Sequence, residues 1–183
     1  MQIKFSVTAA LIIMCLLTTS IAVAYEPAKQ TVFLKFPNGV IPWHIANRSM
    51  TNQGYEVIMY PQGQDRSNRA EAITTKIIPY SAIPGISAQR LVRNESNDIR
   101  TYCKNVTTQV INQSSKSATY YTIGRECSGA EDQSLFSKAF NGEDAVYSVG
   151  YTTIRGKVHP NEFKIISNVI KNARLVANPN YSR

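Results

Sequence analysis

Histidine is scarce in this chain of 183 residues: it has two, His44 and His159. They lie far apart in sequence and in no HxxxH or HExxH pattern, which excludes the usual zinc-hydrolase spacings. No GxSxG elbow, Walker loop or GxGxxG turn follows any apolar run, so serine hydrolase, P-loop and dinucleotide-binding readings have no support. Acidic residues are few, 12 against 20 Lys and Arg. Of the adjacent carboxylates, Glu131-Asp132 sit where a helix is expected to start, a place that favours negative charge. Glu143-Asp144 fall in the turn after it, and neither pair needs a catalytic role. Three cysteines form no CxxC. Beyond residue 24 no run is long and apolar enough for a membrane helix, which takes about 20 residues. Internal repeats, heptads and low-complexity linkers are also missing. No catalytic residue, metal-ligand set or cofactor site emerges from these patterns.

What is present begins at the N-terminus. Lys4 is the only charge before Glu26, and Phe5–Leu17 is almost wholly apolar. Thr18, Thr19 and Ser20 follow, then Ala22-Val23-Ala24. A positive start, a short apolar core and small residues at the cleavage positions make a secretory signal peptide over residues 1–24, with a mature chain from Tyr25. Cys15 follows Ile12, Ile13 and Met14 rather than a small residue, which argues against a lipid anchor. The expected destination is the periplasm or the extracellular space.

Residues 25–183 are the length of one domain, with residues 25–30 and 177–183 expected to be loose. Net charge is +8, of which Lys4 carries one, leaving +7 on the mature chain. A basic balance favours anionic partners. The charges are dispersed, however, with Arg90, Arg93 and Arg100 the nearest thing to a stripe, so solubility accounts for them and a nucleic-acid surface is disfavoured. Cys103 and Cys127 survive cleavage, and an isolated pair in an oxidising compartment reads as a disulfide. Five Asn-x-Ser/Thr sequons, at Asn47, Asn94, Asn105, Asn112 and Asn180, would matter only in a eukaryotic secretory pathway.

Alternating apolar residues predict strands over 31–36, 55–60 and 71–79, separated by Pro37-Asn38-Gly39 and Pro61-Gln62-Gly63-Gln64-Asp65. A helix is expected from Ile86 to about Arg93. Strands follow over 104–112 and 118–125, joined by the polar loop 113–117. Ser128-Gly129-Ala130-Glu131 reads as a capping box. After it, Leu135, Phe136, Ala139 and Phe140 predict a second helical face, closed by Gly142. Asp144–Ile154 is a long strand, and Pro160 opens a last helix whose inner face carries Phe163, Ile166, Val169, Ile170 and Ala173. The expected order is β-β-β-α-β-β-α-β-α. The fold class is therefore α+β, a twisted, mostly antiparallel sheet covered by about three helices.

The stretch from Ala118 to Tyr151 carries a resemblance. It has a tyrosine-rich strand, a cysteine, an amphipathic segment ending in Asn-Gly, and then Asp144-Ala145-Val146-Tyr147-Ser148-Val149-Gly150-Tyr151. With Tyr60-Pro61-Gln62-Gly63, it resembles small exported gammaproteobacterial proteins of unknown function. The element order is similar to that of the PsbP-like α/β/α sandwich. The resemblance covers about residues 56–175. It implies a fold and a location and no catalytic residue, since such a fold hosts many roles.

Two candidate sites follow. Tyr120, Tyr121, Tyr147 and Tyr151 on neighbouring strands, with Arg125, Arg155, Lys157 and His159 nearby, form a possible ligand surface of aromatic and basic groups. The opposing reading is that tyrosine simply favours strands. His44 and His159, the latter beside Lys157 at a helix start, are the only acid and base available for a ribonuclease-like reaction. The sequence favours an exported, non-enzymatic binding protein of the bacterial envelope or exterior, such as a secreted virulence factor. Its partner is an unidentified protein or an anionic molecule, and no cofactor is implied. The alternative is a secreted hydrolase of an anionic substrate such as RNA.

Overall fold

The computed structural model describes residues 20–23, 28–129, 131–179 and 181. Most of the expected signal peptide, part of each expected loose end, and Ala130 of the capping box lie outside these residues.

Strands dominate. In chain order the elements are β1 (Ser20–Val23), β2 (Gln30–Lys35), β3 (Trp43–Thr51), β4 (Gly54–Pro61), β5 (Glu71–Pro79), α1 (Ala88–Arg100), β6 (Cys103–Gln113), β7 (Ser117–Cys127), β8 (Gln133–Asn141), β9 (Ala145–Ile154), α2 (Pro160–Lys171) and β10 (Arg174–Ala177). A seven-stranded sheet has the order β3-β4-β5-β9-β8-β7-β6, and every neighbouring pair is antiparallel. A smaller sheet, β1-β2-β10, is not hydrogen-bonded into it.

The chain builds the large sheet from the β3 edge to β5. It then crosses over one face through α1 to the far edge, β6, and meanders back through β7 and β8 to close β9 against β5. Ser87 caps α1, its Oγ accepting from Arg90 N at 3.2 Å. Asn141 Oδ1 takes the Ala88 amide at 2.7 Å. Beneath α1, Leu91 and Val92 pack with Ala118, Tyr120, Ala139 and Val146. The opposite face is covered by α2 and the small sheet. There Ile166 and Ile170 meet Ile73, Tyr147, Val149 and Tyr151, with Val32 and Leu34 of β2.

The expected α/β/α sandwich with three covering helices is corrected by two findings. The described residues hold two helices, and the segment expected as the second of three, after the Ser128 capping box, is strand β8. The same apolar residues serve both readings. Leu135 and Ala139 point to the α1 face while Phe136 and Phe140 point to the α2 face, so a pattern of adjacent apolar pairs fits a strand buried on both sides as well as a helix. Gly129, at φ 69°, turns the chain instead of entering a helix. The second finding is β3, a strand the alternation did not signal, because its side chains are almost all exposed.

Strand β1 falls within the expected signal peptide, and cleavage after Ala24 would remove it. β2 would keep β10, its partner on the other side. Neither described helix is long and apolar enough to cross a membrane.

Candidate binding face

Alternation along β9 sets which side chains meet which helix: Tyr147, Val149 and Tyr151 face α2, and Val146, Ser148 and Gly150 face α1. The sequence-predicted tyrosine surface is distributed accordingly. Tyr147 and Tyr151 are fully buried on the α2 face. Their hydroxyls donate to Asp144 (2.6 Å) and to Glu71. Burial, and then those carboxylates, hold both phenols above the ordinary tyrosine range. Tyr120 faces the other way, under α1, and donates to Gln113 at 3.0 Å. Tyr121 packs on Phe136 and Phe163. Arg125, Arg155, Lys157 and His159 are exposed, and Lys157 pairs with Glu131 at 2.9 Å. The rings are inside and the cations outside.

The two histidines are likewise separated. His159 Nδ1 accepts from Asn161 N at 3.3 Å and caps α2, which packs on one face of the sheet. His44, on β3, lies edge-on to Tyr60 at 6.5 Å and belongs to the other face. Among the described residues no three His, Cys, Asp or Glu side chains cluster as metal ligands. Cys103 and Cys127 are opposite one another on β6 and β7, with the sulfurs 1.99 Å apart.

A different region of the molecule has the shape of a site. α1 covers β6 to β9 and leaves the same face of β3, β4 and β5 open. Between α1 and this open strip lies a groove of about 460 Å³. Ile83, Ile86 and Leu91 form its apolar end. Glu56, Lys76 and Asp98 line the rest, with Glu95 from α1. Lys76 stands 3.4 Å from Glu95 and 3.9 Å from Glu56. Burial alone would lower its pKa, but the carboxylates of Glu95 and Glu56 outweigh it, and the ammonium is held above its ordinary value. Glu95 also accepts from Ser137 (2.5 Å) and Ser148 (3.3 Å), so its carboxylate is committed to fastening α1 to the sheet. Glu56 and Asp98 keep acceptor capacity toward the groove.

Further along the same face the charge changes sign. On β4, Glu56, Ile58 and Tyr60 point the same way, which sets Glu56 and Tyr60 about 13 Å apart at strand rise. At the Tyr60 end a second hollow, of about 730 Å³, is lined by His44, Ile58, Tyr60, Arg66 and Arg69. The Arg69 guanidinium lies 5.7 Å over the Tyr60 ring and donates to its hydroxyl at 3.1 Å. Asp65 is occupied locally, accepting from Ser67 N and Oγ, which lower its pKa. The open strip is thus acidic at one end, basic at the other, and apolar at Ile58 between.

Sequence reasoning missed this face because its residues come from three strands and one helix. The one available signal was the run 43–51, whose apolar residues Trp43, Ile45, Ala46 and Met50 do not alternate with the polar ones.

No family model and no curated protein matches this chain. Among solved structures, LpqN of Mycobacterium tuberculosis, involved in cell envelope biogenesis, aligns at TM-score 0.49 with 11% identity, covering 86% of this chain and 90% of its own. A Pseudomonas aeruginosa protein of unknown function aligns at TM-score 0.45 with 12% identity, covering 84% and 94%. Likeness at this level says nothing of what the chain does, and it does not confirm the PsbP-like or gammaproteobacterial resemblance.

Proposed function

We propose that this chain is an exported, non-enzymatic binding protein that holds an extended segment of a partner protein along the open strip of β3–β5. The observation that carries this reading is the pairing of opposite charges at the two ends of one strand face that α1 leaves uncovered, the basic end being formed by Arg66 and by Arg69 over the buried Tyr60. A segment lying along β4 meets Glu56 and Asp98 with a cationic side chain and Arg66 and Arg69 with an acidic one. Four residues of extended chain span about 13 Å, so the two charges belong at positions i and i+4, on one side of the segment. The chain's positive net charge does not oppose this, because screening confines exposed charges to about 8 Å at physiological salt. Export is supported by the signal-like N-terminus and by the Cys103–Cys127 pair, which suits an oxidising compartment.

A capped probe peptide Lys-Thr-Val-Thr-Asp tests this by calorimetric titration. Wild-type protein binds it, and Glu56→Gln and Arg69→Gln each weaken binding at least several-fold, as does swapping the peptide's end residues. Equal affinity for both peptides, or no binding, contradicts the reading.

A further inference from the structure

Strand β6 is the outer edge of the large sheet, 11 residues long. Edge strands are normally blunted by shortness, charge, proline or bulges, because their outward amide and carbonyl groups are free to pair. β6 has one charged side chain, Lys104, and no proline. Its register break lies at Ile111, near the far end. Val110 is 53% exposed. The other edge, β3, carries His44 and Arg48 and is interrupted near its start, between Ile45 and Asn47.

The regular stretch of β6 is Val106-Thr107-Thr108-Gln109-Val110, whose apolar-polar pattern reads the same in both directions. We infer that β6 pairs antiparallel with β6 of a second copy of this chain, about a two-fold axis at Thr108, joining two large sheets edge to edge. In that register Val106 lies opposite the second copy's Val110, and Thr107 opposite its Gln109. Thr108 meets its own equivalent. The side chains also match by face. Thr122 Oγ1 donates to Thr108 Oγ1 at 3.2 Å and Thr122 in turn meets Ser96 of α1 at 2.8 Å, which places the even-numbered residues on the α1 side. Apolar therefore meets apolar on that side and polar meets polar on the other. Each Lys104 falls opposite an Asn112, about 27 Å along the strands from its own equivalent, well beyond screening distance. A self-complementary patch of this kind generates a closed dimer rather than a filament. The open strip of β3–β5 lies at the opposite end of each sheet, so pairing leaves it free.

Cross-linking and sedimentation of the purified, oxidised protein test the inference. Wild type sediments as a dimer, and Val110→Lys, at an already exposed position, sediments as a monomer with its melting temperature kept. Thr108→Cys forms a disulfide-linked dimer on mild oxidation, while Met50→Cys on the other edge does not. Should Thr108→Cys fail to fold, an equimolar mixture of Val106→Cys and Val110→Cys reports the same register, linking as a mixed pair and not separately. A wild type that stays monomeric at its highest soluble concentration overturns the inference, as does cross-linking of Met50→Cys equal to that of the β6 variants.

Discussion

Glu71 shows how a single carboxyl is tuned by its surroundings. It is 3% exposed at the start of β5, facing α2. Burial raises its pKa, the Tyr151 hydroxyl lowers it, and the nearby Glu162 carboxylate raises it, leaving it at about 7 against an ordinary 4.5. The folded state therefore holds a proton that the unfolded chain releases. Stability from this group is complete below pH 4.5 and declines as pH rises toward about 7. Melting temperature followed from pH 5 to pH 8 should fall in the wild type, and Glu71→Gln, which keeps the hydrogen bond to Tyr151 without a titrating proton, should flatten that fall. An unchanged slope in Glu71→Gln would assign the pH dependence elsewhere. This site was not legible in the sequence, because Glu71, Tyr151 and Glu162 meet only when β5, β9 and α2 assemble. The cysteine pair was legible, since only Cys103 and Cys127 lie beyond the expected signal peptide and they leave one pairing. The tyrosines were legible as strand residues and not as buried ones: alternation gives two faces, and only the helices decide that both are covered.

Among the elements, α1 depends on a small residue beneath it. A Cβ on Gly124 would lie 2.6 Å from Ile99 Cγ2 and 2.8 Å from Cys103 Sγ. Gly124→Ala should therefore push α1 off β7 and destabilise the protein by about 1–3 kcal/mol, the usual cost of overpacking, read by urea unfolding. A neutral result would mean that α1 sits less closely than described. At the hairpin between β3 and β4, a Cβ on Gly54 would collide with the Ile77 carbonyl oxygen, and its φ of +145° is one that side-chain-bearing residues avoid. Most elements were readable from alternation and punctuation: β2, β4, β5, β6, β7, β9, and α2 with its proline start. β8 was not, because a strand covered on both faces has no polar side to betray its period. β3 was not for the converse reason, since an edge strand left open on one face has little apolar pattern at all.

For the whole molecule, three features decide behaviour: the disulfide, the N-terminus that the sequence reads as a signal peptide, and the open strip. Reducing Cys103–Cys127 should cost about 3 kcal/mol on the chain-entropy account, seen as a lower denaturant midpoint in dithiothreitol. A midpoint unaffected by reductant would mean the bridge adds nothing beyond the β6–β7 ladder it spans. Intact mass of the protein recovered from the exporting cell's medium or periplasm should correspond to a start at Tyr25, with β1 gone and β2 paired to β10. A mass that includes residues 1–24 would contradict export by cleavage. The overall sheet order, with α1 crossing one face and stopping short of β3–β5, could not be read from one sequence. Chain order does not say which strand closes against which, and here β9 returns to pair β5 across the whole of residues 80–144, from the end of β5 at Pro79 to the start of β9 at Ala145.

The central claim is that the uncovered strip of β3–β5 is where a partner segment lies. Amide chemical-shift mapping of the 15N-labelled protein with the Lys-Thr-Val-Thr-Asp peptide tests it most directly. The account predicts saturable shifts at Asn47, Ser49, Glu56, Lys76 and Arg69, with β6 and α2 unmoved. Shifts centred on the exposed Arg155–His159 segment, or none along β4, would contradict it.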